Sequence, residues 1–166
     1  MNSQTVSSST PDVKLTAVTT GRQISASTCR GHPVLLLFHN HHTLAAIEEV
    51  QRAVRNSYPI CTEPILANIV DLGGVPRLLR RTVQKALQSG YEQGAAAVPD
   101  GLDPADYVII LPDWDGRVTA GFSFRDVGKT AAIALLDGEW VLRGRHQGPR
   151  LGQTAVDLID QVFLTN

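Results

Sequence analysis

Five consecutive apolar residues, Val34-Leu35-Leu36-Leu37-Phe38, stand out along the chain because they do not alternate with polar ones. A strand of this kind is covered on both faces, so the run predicts the centre of a helix-flanked sheet. A polar corner, His39-Asn40-His41-His42, follows it, and then the period changes. Leu44, Ile47, Val50 and Val54 recur at helical spacing behind Thr43. That pattern predicts a helix capped by Thr43, buried along those four positions and ended by Asn56 and Pro59. Glu48 and Arg52 form an i,i+4 pair on its solvent side.

The rest of the chain is arranged around this unit. Lys14–Val18 and Gln23–Ala26 suit a short hairpin around Thr20-Gly21, and Ile65–Val70 a second buried strand. Val75, Leu78, Leu79, Val83, Leu87 and Tyr91 give a long helical pattern, with Arg77, Arg81 and Lys85 on its other face as a basic edge that could meet a partner. Tyr107–Leu111 reads as a third strand, closed by Pro112 and the Asp115-Gly116 turn. Ala131–Leu136 and Trp140–Arg143 flank Asp137-Gly138, a strong hairpin signal. Leu151, Ala155, Leu158, Ile159 and Val162 predict a closing amphipathic helix. Residues 1–11, rich in Ser and Thr, are expected to be a disordered arm, and residues 12–166 one domain.

Composition changes this picture by exclusion. The chain of 166 residues sets 15 Lys and Arg against 16 Asp and Glu, a net charge of −1. No bulk attraction to nucleic acid or to an anionic membrane follows from that balance. Two cysteines, Cys29 and Cys61, are too few for a secreted disulfide scaffold. The opening residues carry no basic and apolar leader, and no run approaches the roughly 20 apolar residues of a membrane span. A cytoplasmic location is therefore expected.

Candidate chemistry gathers at strand ends. His39, His41 and His42 converge at the carboxyl end of the central strand, where open α/β sheets place ligands. Asp71, Asp113 and Trp114 end other predicted strands and join them as candidate ligand contacts, with Thr43 at the helix start. Imidazoles with a carboxylate suit zinc, iron or copper. However, His-Asn-His-His lacks the i,i+4 helical spacing, and a helix N-terminus repels a dication, so no metal or other cofactor is expected. Cys29 and Cys61 read first as small buried hydrophobes, with redox reactivity or a mutual disulfide as the alternative. Neither a phosphate loop nor a G-x-S-x-G elbow occurs.

Three stretches carry a family resemblance: GHPVLLLFHNHHT, VIILPDWDGRVTAGFSFRDVG and AIALLDGEWVLRGRHQG. Together with the element order they resemble the thioredoxin superfamily, in particular its redoxin and peroxiredoxin branch. The resemblance implies a thioredoxin-like, three-layer α/β fold with a mixed central sheet and a long helix inserted between the second and third core strands. Against the family pattern, Thr43-Leu44-Ala45-Ala46 stands where a C-x-x-C pair would begin. Set against the peroxiredoxin Pro-x-x-x-Thr-x-x-Cys, Thr43 is kept, His39 replaces the Pro and Ala46 replaces the Cys. Ala131 falls where the family carries a cis-Pro or Arg.

Three functions remain in view. The first is a redoxin-like binding or regulatory module that has lost thiol chemistry and meets an unknown protein or small molecule. An atypical thiol oxidoreductase or peroxide-reducing protein using Cys61 or Cys29 is the alternative. A metal-binding variant through His39, His41 and His42 comes third. The oligomeric state, a homodimer included, is open.

Overall fold

A computed structural model describes residues 9–59 and 63–164. The chain opens with a small antiparallel hairpin, β1 (Leu15–Thr16) and β2 (Gln23–Ile24). β3 (Val34–His39), α1 (Leu44–Ser57) and β4 (Ile65–Asp71) follow. A 3-10 turn (Arg77–Leu79) leads into α2 (Arg80–Ala96), then α3 (Pro104–Tyr107) and β5 (Ile110–Asp113). The chain ends with α4 (Arg117–Gly121), β6 (Ala132–Leu136), β7 (Leu142–Gln147) and α5 (Leu151–Leu164).

The five longer strands form one mixed sheet in the order β5-β4-β3-β6-β7. β3 runs parallel to β4, and β4 to β5, while β6 is antiparallel to both β3 and β7. All six residues of β3 are buried, so the non-alternating run does mark the centre of the sheet. Its side chains divide between two cores. Leu36 and Phe38 join Ile24, Cys29, Ile69, Leu111, Phe122 and Val127 on one face. Leu35 and Leu37 join Ile47, Val50 and Val54 of α1 and Ala155, Ile159 and Val162 of α5 on the other. Phe38 adds tilted ring contacts to Phe122 and Phe124, each with centroids 5.0 Å apart. The two helices cross closely at Gly152, where a Cβ would meet the Ala53 Cβ at 3.1 Å.

The thioredoxin-like architecture expected from the sequence is present, including the long helix α2 between the strands β4 and β5. Four local expectations change. Leu44 is 43% exposed, because it opens α1 at the rim of the sheet instead of lying over it. Tyr107 belongs to α3, which Asp103 caps by accepting the Ala105 N–H, so β5 begins three residues later than the apolar run suggests. Leu78 and Leu79 leave the apolar stripe of α2, since Pro76 and the 3-10 turn alter the angular phase before the helix starts. The hairpin turn at Asp137-Gly138 is present, but its second strand extends to Gln147.

At the amino end, Thr10 already accepts a hydrogen bond from the Leu142 N–H and Val13 is buried. No described helix is long and apolar enough to cross a membrane.

Burial separates leucines that the sequence alone groups together. Leu36→Ala removes a fully buried side chain and is expected to cost about 2–5 kcal/mol. Leu78→Ala, at a residue 94% exposed, is expected to stay within about 0.5 kcal/mol. Urea unfolding midpoints of the two variants check this, and equal losses would contradict the placement of α2.

Candidate functional site

The strand register brings the candidate residues to one edge of the sheet. His39 pairs with Val70, Asp71 with Asp113, and Phe38 with Ala132 at the start of β6. The His39–Thr43 corner, the Asp71–Pro76 loop, the Trp114–Arg117 turn and the loop before β6 therefore share the rim at the carboxyl ends of the parallel strands.

Thr43 sits at the cap position of α1, but its side chain does not cap the helix. Its hydroxyl donates to the Val127 carbonyl at 2.7 Å and accepts the Asn40 N–H at 3.2 Å. Thr43 is buried, so both bonds are made away from bulk water. Asn40 in turn accepts the His42 N–H at 2.8 Å and places its amide against Gly128, where any Cβ would overlap it. Asp126 accepts the Gly128 N–H at 2.9 Å and fixes that loop from its other side. The corner and the loop before β6 are thus bonded to each other at Thr43 and Asn40, while His41 and His42 stay exposed beside them.

His39 is 5% exposed, beyond the apolar run that precedes it. Its Nδ1 lies 3.2 Å from the Asn40 carbonyl, and its Nε2 has no hydrogen-bond partner among the described residues. A carbonyl only accepts, so the proton sits on Nδ1 and Nε2 presents a bare lone pair. Burial lowers the His39 pKa below its ordinary 6.5, against a smaller opposing effect of the Asn40 hydrogen bond. The ring is neutral near pH 7. His41 and His42 are exposed, with ring centroids 3.7 Å apart. The three histidines share the corner without converging, and no group of three or more metal-capable side chains occurs among the described residues.

The carboxylates serve the fold. Asp113 is buried and accepts from the Thr119 N–H and hydroxyl, both at 2.8 Å, which anchors α4. Asp71 accepts the Gly73 N–H at 3.0 Å and packs against Gly116. Trp114 lies under the Arg80 guanidinium, 5.4 Å from ring centroid to cation.

Cys29 is a free thiol, 1% exposed, in the core on the sheet face opposite α1. Its placement gives a peroxide no direct approach. Cys61 lies outside the described residues, as does any pairing between the two cysteines.

Sequence reasoning missed the closing bonds. The Thr43–Val127 bond joins residues 84 positions apart, and no local pattern announces it. Gly128 in Asp126-Val127-Gly128 was the one available sign of a tight backbone approach. Also missed was the rigid hairpin end, where Asp137 accepts from the Glu139 and Val141 N–H groups and from Arg143. Burial pushes the Asp137 carboxyl up, but those donors outweigh it and hold the carboxyl below the usual range.

Two measurements check this geometry. Thr43→Val keeps the shape and removes both hydroxyl bonds, with an expected loss of about 1–3 kcal/mol and faster amide exchange at Asn40. An unchanged exchange rate would contradict a closed corner. His39 sets a pH dependence. The unfolded histidine takes up its proton near pH 6.5 and the folded one only below that, so stability falls as pH drops through that window. Compared with His39→Gln, the wild-type chain should lose stability more steeply below pH 6.5; parallel denaturation curves would contradict the lowered pKa.

Comparisons with known proteins bear on the fold. No protein-family model matches the chain, and no curated protein sequence matches it. Among solved structures it is similar to the exposed lipoprotein thioredoxin Etrx1 of Streptococcus pneumoniae, with a TM-score of 0.63 and 17% identity over 90% of this chain and 98% of that one. The MTB protein dsbF has a TM-score of 0.60 and 15% identity over 92% of this chain and 96% of that one. Peroxiredoxin Q of Xanthomonas campestris has a TM-score of 0.56 and 11% identity over 94% and 93% respectively. At these identities the likeness concerns the fold alone, and the chain has a thioredoxin-like fold whose structural neighbours include a lipoprotein thioredoxin and a peroxiredoxin.

Proposed function

We propose that this chain is a thioredoxin-like scaffold that has lost thiol chemistry at the α1 corner and works by binding a partner at the sheet rim. The observation that carries the reading is the Thr43 hydroxyl, which is committed to the Val127 carbonyl while Ala46 stands three residues on. A nucleophile there would need an open approach and a thiolate held by the helix field. Instead the corner offers an alanine and a sealed loop. The burial of Cys29 adds support from the other side of the sheet. The reading requires no cofactor, and it assigns the exposed part of the rim as the working surface.

Intact mass of the reduced full-length protein, after brief exposure to stoichiometric hydrogen peroxide and a sulfenic-acid trap, tests it. The expected result is an unchanged mass, with no trapped adduct and no loss of two hydrogens. A fast adduct or a two-hydrogen loss would instead establish a working thiol and overturn the reading. Cys29→Ser and Cys61→Ser would then assign it.

A further inference from the structure

Charge is unevenly placed on this chain. The net value is −1, yet between Asp71 and Glu92 there is no acidic residue, while Arg77, Arg80, Arg81 and Lys85 all fall there. All four are exposed, and none has an ion-pair partner among the described residues. Arg77 lies in the 3-10 turn that leads into α2, and Arg80 and Arg81 open α2 itself, at the positive end of the helix dipole, where no acidic residue balances them. Of the four, Arg80 has a contact within the fold, over the Trp114 ring.

Apolar exposure coincides with this charge. Leu78 is 94% exposed and Leu79 is 52% exposed, in the 3-10 turn between Arg77 and Arg80. Leu44, 43% exposed at the start of α1, lies on the same rim. α2 itself buries no residue fully.

We infer that this rim docks an acidic, leucine-bearing segment of another protein. Its carboxylates meet Arg77, Arg80, Arg81 and Lys85, and its apolar side chains cover Leu78 and Leu79. The inference rests on the reading of the chain as a binding scaffold and names the chemistry of its partner. Charge complementarity selects the occupant. A neutral apolar partner would desolvate four cations without pairing them. Nucleic-acid phosphates would pair the cations but leave the two leucines uncovered.

The test uses the full-length protein and three synthetic helical peptides, one of Glu and Leu, one of Glu and Ala, and one of Lys and Leu. Binding is read by anisotropy of the labelled peptide and by Trp114 fluorescence, referenced to Trp114→Phe. The Glu/Leu peptide should bind about tenfold or more tighter than the Glu/Ala peptide, with affinity falling as salt rises. The Lys/Leu peptide should not bind. Arg77→Glu with Arg81→Glu, and separately Leu78→Ser with Leu79→Ser, should each weaken binding about tenfold or more without lowering the melting temperature, since all four side chains are exposed and Glu suits the positive end of a helix.

Equal affinity for the two acidic peptides, no binding, or indifference to the variants would overturn the inference. So would sedimentation with phosphatidylserine/phosphatidylcholine vesicles, under the same variant dependence, in place of peptide binding. A peroxide-reactive thiol would overturn the scaffold reading without touching these affinities. Conversely, silent cysteines with a failed peptide titration would leave that reading standing and remove only this partner.

Discussion

β3 has no solvent on either side, and the remainder of the fold answers that requirement. A strand whose six residues are all buried needs a paired neighbour on both edges and a packed layer on both faces. β4 and β6 supply the edges, α1 and α5 one face, and the hairpin, Phe122 and Val127 the other. Register is strict under such conditions, because a slip of one residue would exchange the side chains of the two cores. Phe38 would leave the ring cluster it forms with Phe122 and Phe124, and Leu37 would leave α1.

Burial does not stop where the apolar run stops. His39 is enclosed as the last residue of the strand, with one nitrogen on the Asn40 carbonyl and the other unpaired among the described residues. An unmet buried acceptor costs about 1–3 kcal/mol, which the neighbouring closures offset: Thr43 with Val127 and Asn40, and Asp126 with Gly128. The rim of this domain is therefore held by polar bonds inside a small volume. Those bonds take up the Thr43 hydroxyl and the N–H groups of Asn40 and Gly128, and the exposed side chains lie outside them.

What the sequence discloses follows from the range over which each signal acts. The uninterrupted run at Val34–Phe38, the 3.6-residue stripes of α1 and α5 and the Asp137-Gly138 turn are local or periodic, and each marks a real element. Arrangements made by distant partners stay hidden. Thr43 looks like a helix cap in the sequence because hydroxyl residues often cap helices, yet its hydroxyl is drawn to a carbonyl in a loop 84 residues on. Asp113 looks like a ligand at a strand end, yet its carboxylate anchors Thr119. The periodicity at Leu78 and Leu79 signals burial, but it assumes the helix begins before Pro76 ends the loop, and the 3-10 turn rotates both side chains outward. Residue types at the rim were legible in the sequence, and their contacts were not.

The placement of α2 sharpens this point. A helix with cations in its first turn gives up roughly 0.3–1 kcal/mol for each relative to a well-matched terminus, and an exposed Leu78 gains nothing from burial. Neither feature is needed to fill the space between β4 and β5, since α2 meets the body through Gly94 against Val108 and Gly90 against Ile110. Substitutions at the exposed Arg77, Leu78 and Arg81 would relieve both at little cost to the fold. Two disfavoured choices in the same short segment are a local conflict with the fold, and the proposed docking surface rests on them. Arg80 over Trp114 ties that segment to the end of β5, so the cations of α2 and the rim of the sheet form one connected surface.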